Sequence, residues 1–222
     1  MRLADEGFPL SLSPDGRWAL VRAHLVTFEA QKWPGLRVVP TGTGDVRTIA
    51  APGLQVVAAD WVPDGRGLLV YGREADRGLR AFLLDAGGQG RRAVTPEGVS
   101  ACEVGRRGVA CLGPTKRVTF YSLEGGESRE VPGLEPGLRP LRLSEDETSL
   151  FVSPPRANRV SPLRVERVDL ATGRRTLVQE FKPADMAGVW IYRPPLVTPD
   201  GRGYAYGYAQ WLQDLYLADG FR

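Results

Sequence analysis

Apolar residues in this chain gather in short consecutive runs rather than at alternate or helical spacing. The clearest are Trp18-Ala19-Leu20-Val21, Leu68-Leu69-Val70-Tyr71, Val109-Ala110-Cys111-Leu112, Leu150-Phe151-Val152 and Tyr204-Ala205-Tyr206. A strand with one wet face alternates apolar and polar side chains, so these runs predict strands covered on both faces. Each follows a turn signal. Ser13-Pro14-Asp15-Gly16, Val62-Pro63-Asp64-Gly65 and Thr198-Pro199-Asp200-Gly201 share one motif, Ser144-Glu145-Asp146-Glu147 keeps its place in degraded form, and Gly105-Arg106-Arg107-Gly108 occupies the remaining position. Pro presets φ, Asp bonds the local backbone and Gly accepts a left-handed conformation, so Pro-Asp-Gly predicts a tight hairpin.

A second marker follows each of the first four turns: Thr43-Gly44-Asp45, Gly87-Gly88, Gly125-Gly126 and Thr172-Gly173-Arg174. Apolar strands precede these markers (36–39, 81–84, 118–121, 165–168) and shorter ones follow them (48–49, 93–94, 130–131, 176–178). Strand, turn, strand, loop, strand, turn, strand is a four-stranded meander, and its recurrence predicts stacked sheets that cover one another. The fold class expected is all-β, a β-propeller of about five four-stranded blades, with repeats near 8–52, 55–97, 99–133, 138–181 and 190–222. A β-sandwich also has many short strands, but not in groups of four. The fifth unit has room for three strands, 195–197, 203–208 and 214–217, with Arg2-Leu3-Ala4 as a candidate for the missing one.

Composition bounds the function. The 222 residues are 42% hydrophobic and 25% charged, an ordinary globular balance, and 27 Gly with 18 Pro suit a turn-dense chain. Net charge is only +3, and the pairs Arg91-Arg92, Arg106-Arg107 and Arg174-Arg175 fall beside Gly-rich turns, so no nucleic-acid partner is expected. No run of about 18 apolar residues occurs, and no membrane insertion of this segment is expected. Localisation stays open: cytoplasmic as the sequence is written, extracytoplasmic if a membrane span lies upstream.

Chemistry is sparse. His24 is the only histidine and no Gly-x-Ser-x-Gly elbow accompanies it, so no catalytic residue is assigned. One His and two Cys cannot supply four zinc ligands, and Asp15, Asp64 and Asp200 lack calcium-loop neighbours, so neither metal nor cofactor is expected. Gly42-Thr43-Gly44 has Arg47 where a dinucleotide fingerprint needs its third Gly, and is read as a turn. Tyr204, Tyr206 and Tyr208 share one strand face, as a stacking platform or, preferred on packing grounds, as a wedge of bulky rings against a neighbouring blade's small side. Cys102 and Cys111 lie symmetrically about the turn 105–108 and would face each other across a hairpin. They would be bridged in an oxidising compartment and free thiols in a reducing one.

The units around Leu12-Ser13-Pro14-Asp15-Gly16-Arg17-Trp18, together with Thr95-Pro96-Glu97-Gly98-Val99, Pro183-Ala184-Asp185-Met186-Ala187-Gly188-Val189 and the Tyr-rich ending, resemble TolB-like propeller repeats. The likeness is greatest to those in the C-terminal regions of bacterial serine/threonine protein kinases. It implies a non-catalytic sensory or binding module for a protein or small ligand, attached to a kinase-like parent, although the chain itself has no His-Arg-Asp or Asp-Phe-Gly. Such propellers commonly have six blades, which favours a C-terminal piece of a larger ring over a closed five-bladed one. The alternatives are the gating propeller of a prolyl-oligopeptidase-type peptidase and a plain scaffold. The two longest insertions, 27–35 and 153–162, carry the binding candidates Trp33, Arg156 and Arg159.

Overall fold

The computed structural model describes residues 7–22, 35–155, 162–192 and 194–211, without the side chains of 190–192. Four antiparallel four-stranded sheets follow one another along the chain. The first comprises β1 (Phe8–Leu12), β2 (Trp18–Arg22), β3 (Gly35–Pro40) and β4 (Arg47–Ala50), and the second β5 (Leu54–Trp61), β6 (Gly67–Glu74), β7 (Arg80–Asp85) and β8 (Arg92–Ala93). The third holds β9 (Ser100–Val104), β10 (Gly108–Leu112), β11 (Val118–Ser122) and β12 (Arg129–Glu130), and the fourth β13 (Arg139–Leu143), β14 (Ser149–Ser153), β15 (Leu163–Asp169) and β16 (Arg175–Phe181). Every sheet is ordered as a simple meander. The fold is an all-β propeller, as the repeat predicts.

The fifth unit differs from the expected three strands. Its described part is one long interrupted hairpin: β18 (Leu196–Val197) pairs with β19 (Tyr204–Ala205), and β17 (Val189–Tyr192) with β20 (Tyr208–Gln210). The sequence pattern predicts one strand over 203–208, but ladder pairing lapses at Tyr206 and Gly207. The segments 2–4 and 214–217, expected to bear on ring closure, lie outside the described residues.

Consecutive apolar residues form strands here because both faces of each sheet are core. In β14, Leu150 and Val152 join the cluster shared with the third sheet, while Phe151 between them joins the cluster shared with the fifth unit. In β6, Leu68 and Val70 face the first sheet and Leu69 the third. Period-2 alternation thus separates two dry interfaces instead of a dry one from a wet one.

Candidate functional site

The first strands of the sheets are the innermost, since contacts between neighbouring sheets run through β1 with β5, β9 with β13, and β13 with β18. Each leads into a turn whose closing bond fixes a common register: Ser13 N–H to Trp18 O (2.8 Å), Val62 to Gly67 (2.9 Å), Gly105 to Gly108 (2.7 Å), Ser144 to Ser149 (2.9 Å) and Thr198 to Gly203 (2.9 Å). The residue one before each closing donor is Leu12, Trp61, Val104, Leu143 or Val197. The last four pack into the core against the preceding sheet, whereas Leu12 is 60% exposed. One step further back, alternation turns the side chain the other way, so Ser11, Asp60, Glu103, Arg142 and Leu196 hold equivalent inner positions on successive units.

The four full-length inner strands also carry one extra residue each: Leu10, Val57, Ala101 (φ 46°) and Leu141. Such bulges bend a strand and re-aim its neighbours.

Electrostatics single out three members of the ring. Burial pushes the Asp60 carboxyl up to about 6, against the opposing pull of the nearby Ser11 hydroxyl, which donates to the Ala59 carbonyl (3.3 Å), and of the Arg142 charge. Burial, with the Asp60 charge added, holds Glu103 well above the usual carboxylate range, and Arg142 and Arg139 offset this only in part. Two acids on adjacent inner strands therefore retain protons more tightly than free carboxyls do.

Arg142 also lines a cleft of about 400 Å³. Its walls come from the turns of four units, among them Pro63, Val104, Gly105, Leu143, Glu145 and Pro199. Glu147, also in its wall, occupies the place that Gly16, Gly65 and Gly201 hold in the other motifs, at φ 55° against their 69°, 75° and 68°. Its carboxylate crosses to the preceding unit, accepting bonds from the Arg106 N–H and from Arg107 N and Nε (each 3.2 Å). A Cβ on Gly105 would stand 2.5 Å from Glu147 Oε1, so this crossing requires glycine there. A second cleft of about 280 Å³ has Arg139, at the other end of β13, among its lining residues, together with Ala101, Pro154 and Pro155.

The turn aspartates are structural. Ser13 Oγ donates to Asp15 (2.5 Å), Ser144 Oγ to Asp146 (2.6 Å) and Thr198 Oγ1 to Asp200 (2.5 Å), and each carboxylate also accepts the N–H two residues on. These bonds hold all three carboxyls below their usual range, Asp146 at about 2. No cluster of three or more potential metal ligands occurs among the described residues.

Trp33, Arg156, Arg159 and His24 lie outside the described residues. Sequence reasoning passed over Asp60, Glu103 and Arg142. The signal for two of them was present: the residue two before each motif's first position reads Ser11, Asp60, Arg142, Leu196. Glu103 was hidden because its turn has lost the motif. The tyrosines meet a ring where the wedge reading expected small residues: Tyr206 stacks on Phe181 at 4.7 Å, Tyr204 meets it edge-on at 5.8 Å, and Tyr208 stacks on Tyr206 at 6.3 Å. Cys102 and Cys111 are register partners and form a disulfide with Cα atoms 4.1 Å apart.

No known protein-family model and no curated protein matches the chain. Among solved structures, TolB from Acinetobacter baumannii is 17% identical with a TM-score of 0.63, over 88% of this chain and 47% of that one. The putative TolB from Agrobacterium tumefaciens is 14% identical with a TM-score of 0.63, over 92% and 70%. Puromycin hydrolase is 21% identical with a TM-score of 0.54, over 90% and 32%. The chain thus spans less than half the length of the first and about a third of the last. None of these likenesses supports the kinase parentage expected from the sequence. At these identities they establish the fold, and the chain is a β-propeller similar to that of TolB.

Proposed function

We propose that this chain is a non-catalytic binding module whose ligand enters the 400 Å³ cleft at the turn-bearing ends of the inner strands. The observation that carries this reading is the convergence of turns from four units on one concavity, with Arg142 of the inner ring in its wall. Pockets of this size suit a small molecule or a few residues of a peptide, and a rigid scaffold with ligand-binding turns is how repeat folds commonly bind.

Saturable binding of a labelled peptide or metabolite from a diverse panel tests the reading. Glu145→Trp, an exposed rim substitution, should block it without changing the melting temperature. If no member of the panel binds, or if Glu145→Trp binds unchanged, the cleft is not the site. Hydrolysis of peptide or ester substrates by the purified protein would overturn the non-catalytic part and favour the reading as a peptidase's propeller, the kind of neighbour that puromycin hydrolase represents. Attachment to a kinase-like parent rests on the sequence resemblance, and the reading frame upstream of Met1 tests it.

A further inference from the structure

Among the described arginines, exposed ones such as Arg139, Arg167 and Arg202 have no ion pair, but Arg142 lacks one at a half-buried place in a cleft. Arg66, Arg77, Arg91, Arg107, Arg117, Arg164 and Arg175 each form an ion pair. Arg142 is half-buried, faces inward and lines the cleft, yet among the described residues no hydrogen bond or ion pair engages its guanidinium. Its ring neighbours Asp60 and Glu103 act on it through space without closing on it. A half-buried guanidinium with a planar fork of donors and no hydrogen-bond partner is suited to an incoming oxyanion.

The surroundings narrow the anion. Pro63, Val104, Leu143 and Pro199 give the cleft apolar walls, and Glu145, Glu147 and Asp200 set three acids in its lining against one further cation, Arg106. A doubly charged phosphate would meet these acids and those of the ring, whereas a singly charged carboxylate meets less repulsion and its apolar body gains the walls. Resting on the binding reading above, we infer that the cleft receives a carboxylate borne on an apolar body, such as a peptide C-terminus ending in an aliphatic residue, with Arg142 as the carboxylate's partner.

Fluorescein-Gly-Gly-Leu as free acid and as carboxamide are suitable probes, followed by fluorescence polarisation. The free acid should bind at least tenfold more tightly than the amide. Arg142→Met should remove that difference, and Arg142→Lys, which keeps charge but loses the fork, should fall between. Inorganic phosphate should compete poorly. Equal binding of acid and amide, or an acid preference that survives Arg142→Met, overturns the inference, as does phosphate competing as well as the acid. Should Arg142→Met fail to fold, the wild-type acid-to-amide ratio and Arg142→Lys still decide. If both probes bind equally and Glu145→Trp blocks both, the cleft stands as a binding site and only the carboxylate assignment fails. If neither binds, the assignment fails, and the wider peptide and metabolite panel decides the cleft separately.

Discussion

Glu147 carries the tension between local conformation and long-range contact. A non-glycine residue in the left-handed region costs about 1 kcal/mol or more, and the three related motifs avoid that cost with Gly16, Gly65 and Gly201. Glu147 accepts it, and its carboxylate, with the side chain 7% exposed, binds the N–H groups of Arg106 and Arg107 on the preceding unit. Hydrogen bonds to a charged acceptor contribute about 1.5–3 kcal/mol, so the clasp outweighs the strain. Glu147→Ala keeps the strain and loses the bonds, and should destabilise by about 2–3 kcal/mol. Glu147→Gly loses both and should cost about 1 kcal/mol. Urea unfolding would rank them wild type, Gly, Ala; a Gly variant more stable than wild type by about 1 kcal/mol would mean that the clasp contributes nothing. Sequence alone marked this position as a decayed turn motif. That its side chain had acquired a partner 40 residues upstream was illegible, because the pairing exists only once two sheets are side by side.

At the scale of elements, the third sheet shows how register turns a sequence symmetry into a covalent link. Gly105 N–H to Gly108 O closes a two-residue loop, and a Cβ on Gly108 would meet the Phe120 ring at 2.1 Å, so glycine is needed there. Counting outward from this hydrogen-bonded pair, 104/109 is non-hydrogen-bonded, 103/110 hydrogen-bonded and 102/111 non-hydrogen-bonded. The last kind brings side chains closest, which is where Cys102 and Cys111 fall. Thiol counting on the oxidised, denatured protein should find no free thiol. Reduction should lower stability by at most about 2–3 kcal/mol, since the loop it opens is short; two free thiols before reduction would exclude the bridge. The spacing about the turn was legible in the sequence, whereas the choice between bridge and thiols was not. Strands and turns were likewise legible wherever Pro, Asp and Gly punctuated apolar runs. The fifth unit was not, because its alternating tyrosines describe one strand while the ladder breaks at Tyr206 and Gly207. At that break the Tyr206 ring stacks on Phe181 of the preceding sheet.

Across the whole molecule, acids in two environments set opposite dependences on pH. The turn carboxyls Asp15, Asp146, Asp169 and Asp200 are held below their ordinary 3.8 in the folded state. Their contribution is complete above that value and lost as pH falls towards about 2, where Asp146 titrates. The ring acids behave inversely. Asp60 titrates near 6 when folded against 3.8 as a free side chain, and Glu103 is likewise raised well above its ordinary range, so the folded protein binds protons the unfolded chain has released. Stability from this source is greatest below about 4 and declines as pH rises through about 6. Asp60 alone accounts for a decline on the order of 1–3 kcal/mol, allowing for its partial contact with solvent. The two trends together place the maximum in the mildly acidic range, and the melting temperature at pH 5 should exceed that at pH 7.5 by several degrees at about 2–4 °C per kcal/mol. Asp60→Asn keeps the shape while removing the charge that also raises Glu103. It should therefore raise the melting temperature at pH 7.5 and flatten the profile between pH 5 and 7.5, with little effect at pH 4. A wild-type profile already flat over that interval, or an Asn variant less stable than wild type at pH 7.5, would show instead that Arg142 stabilises the ionised acids in the folded ring and that burial does not dominate there.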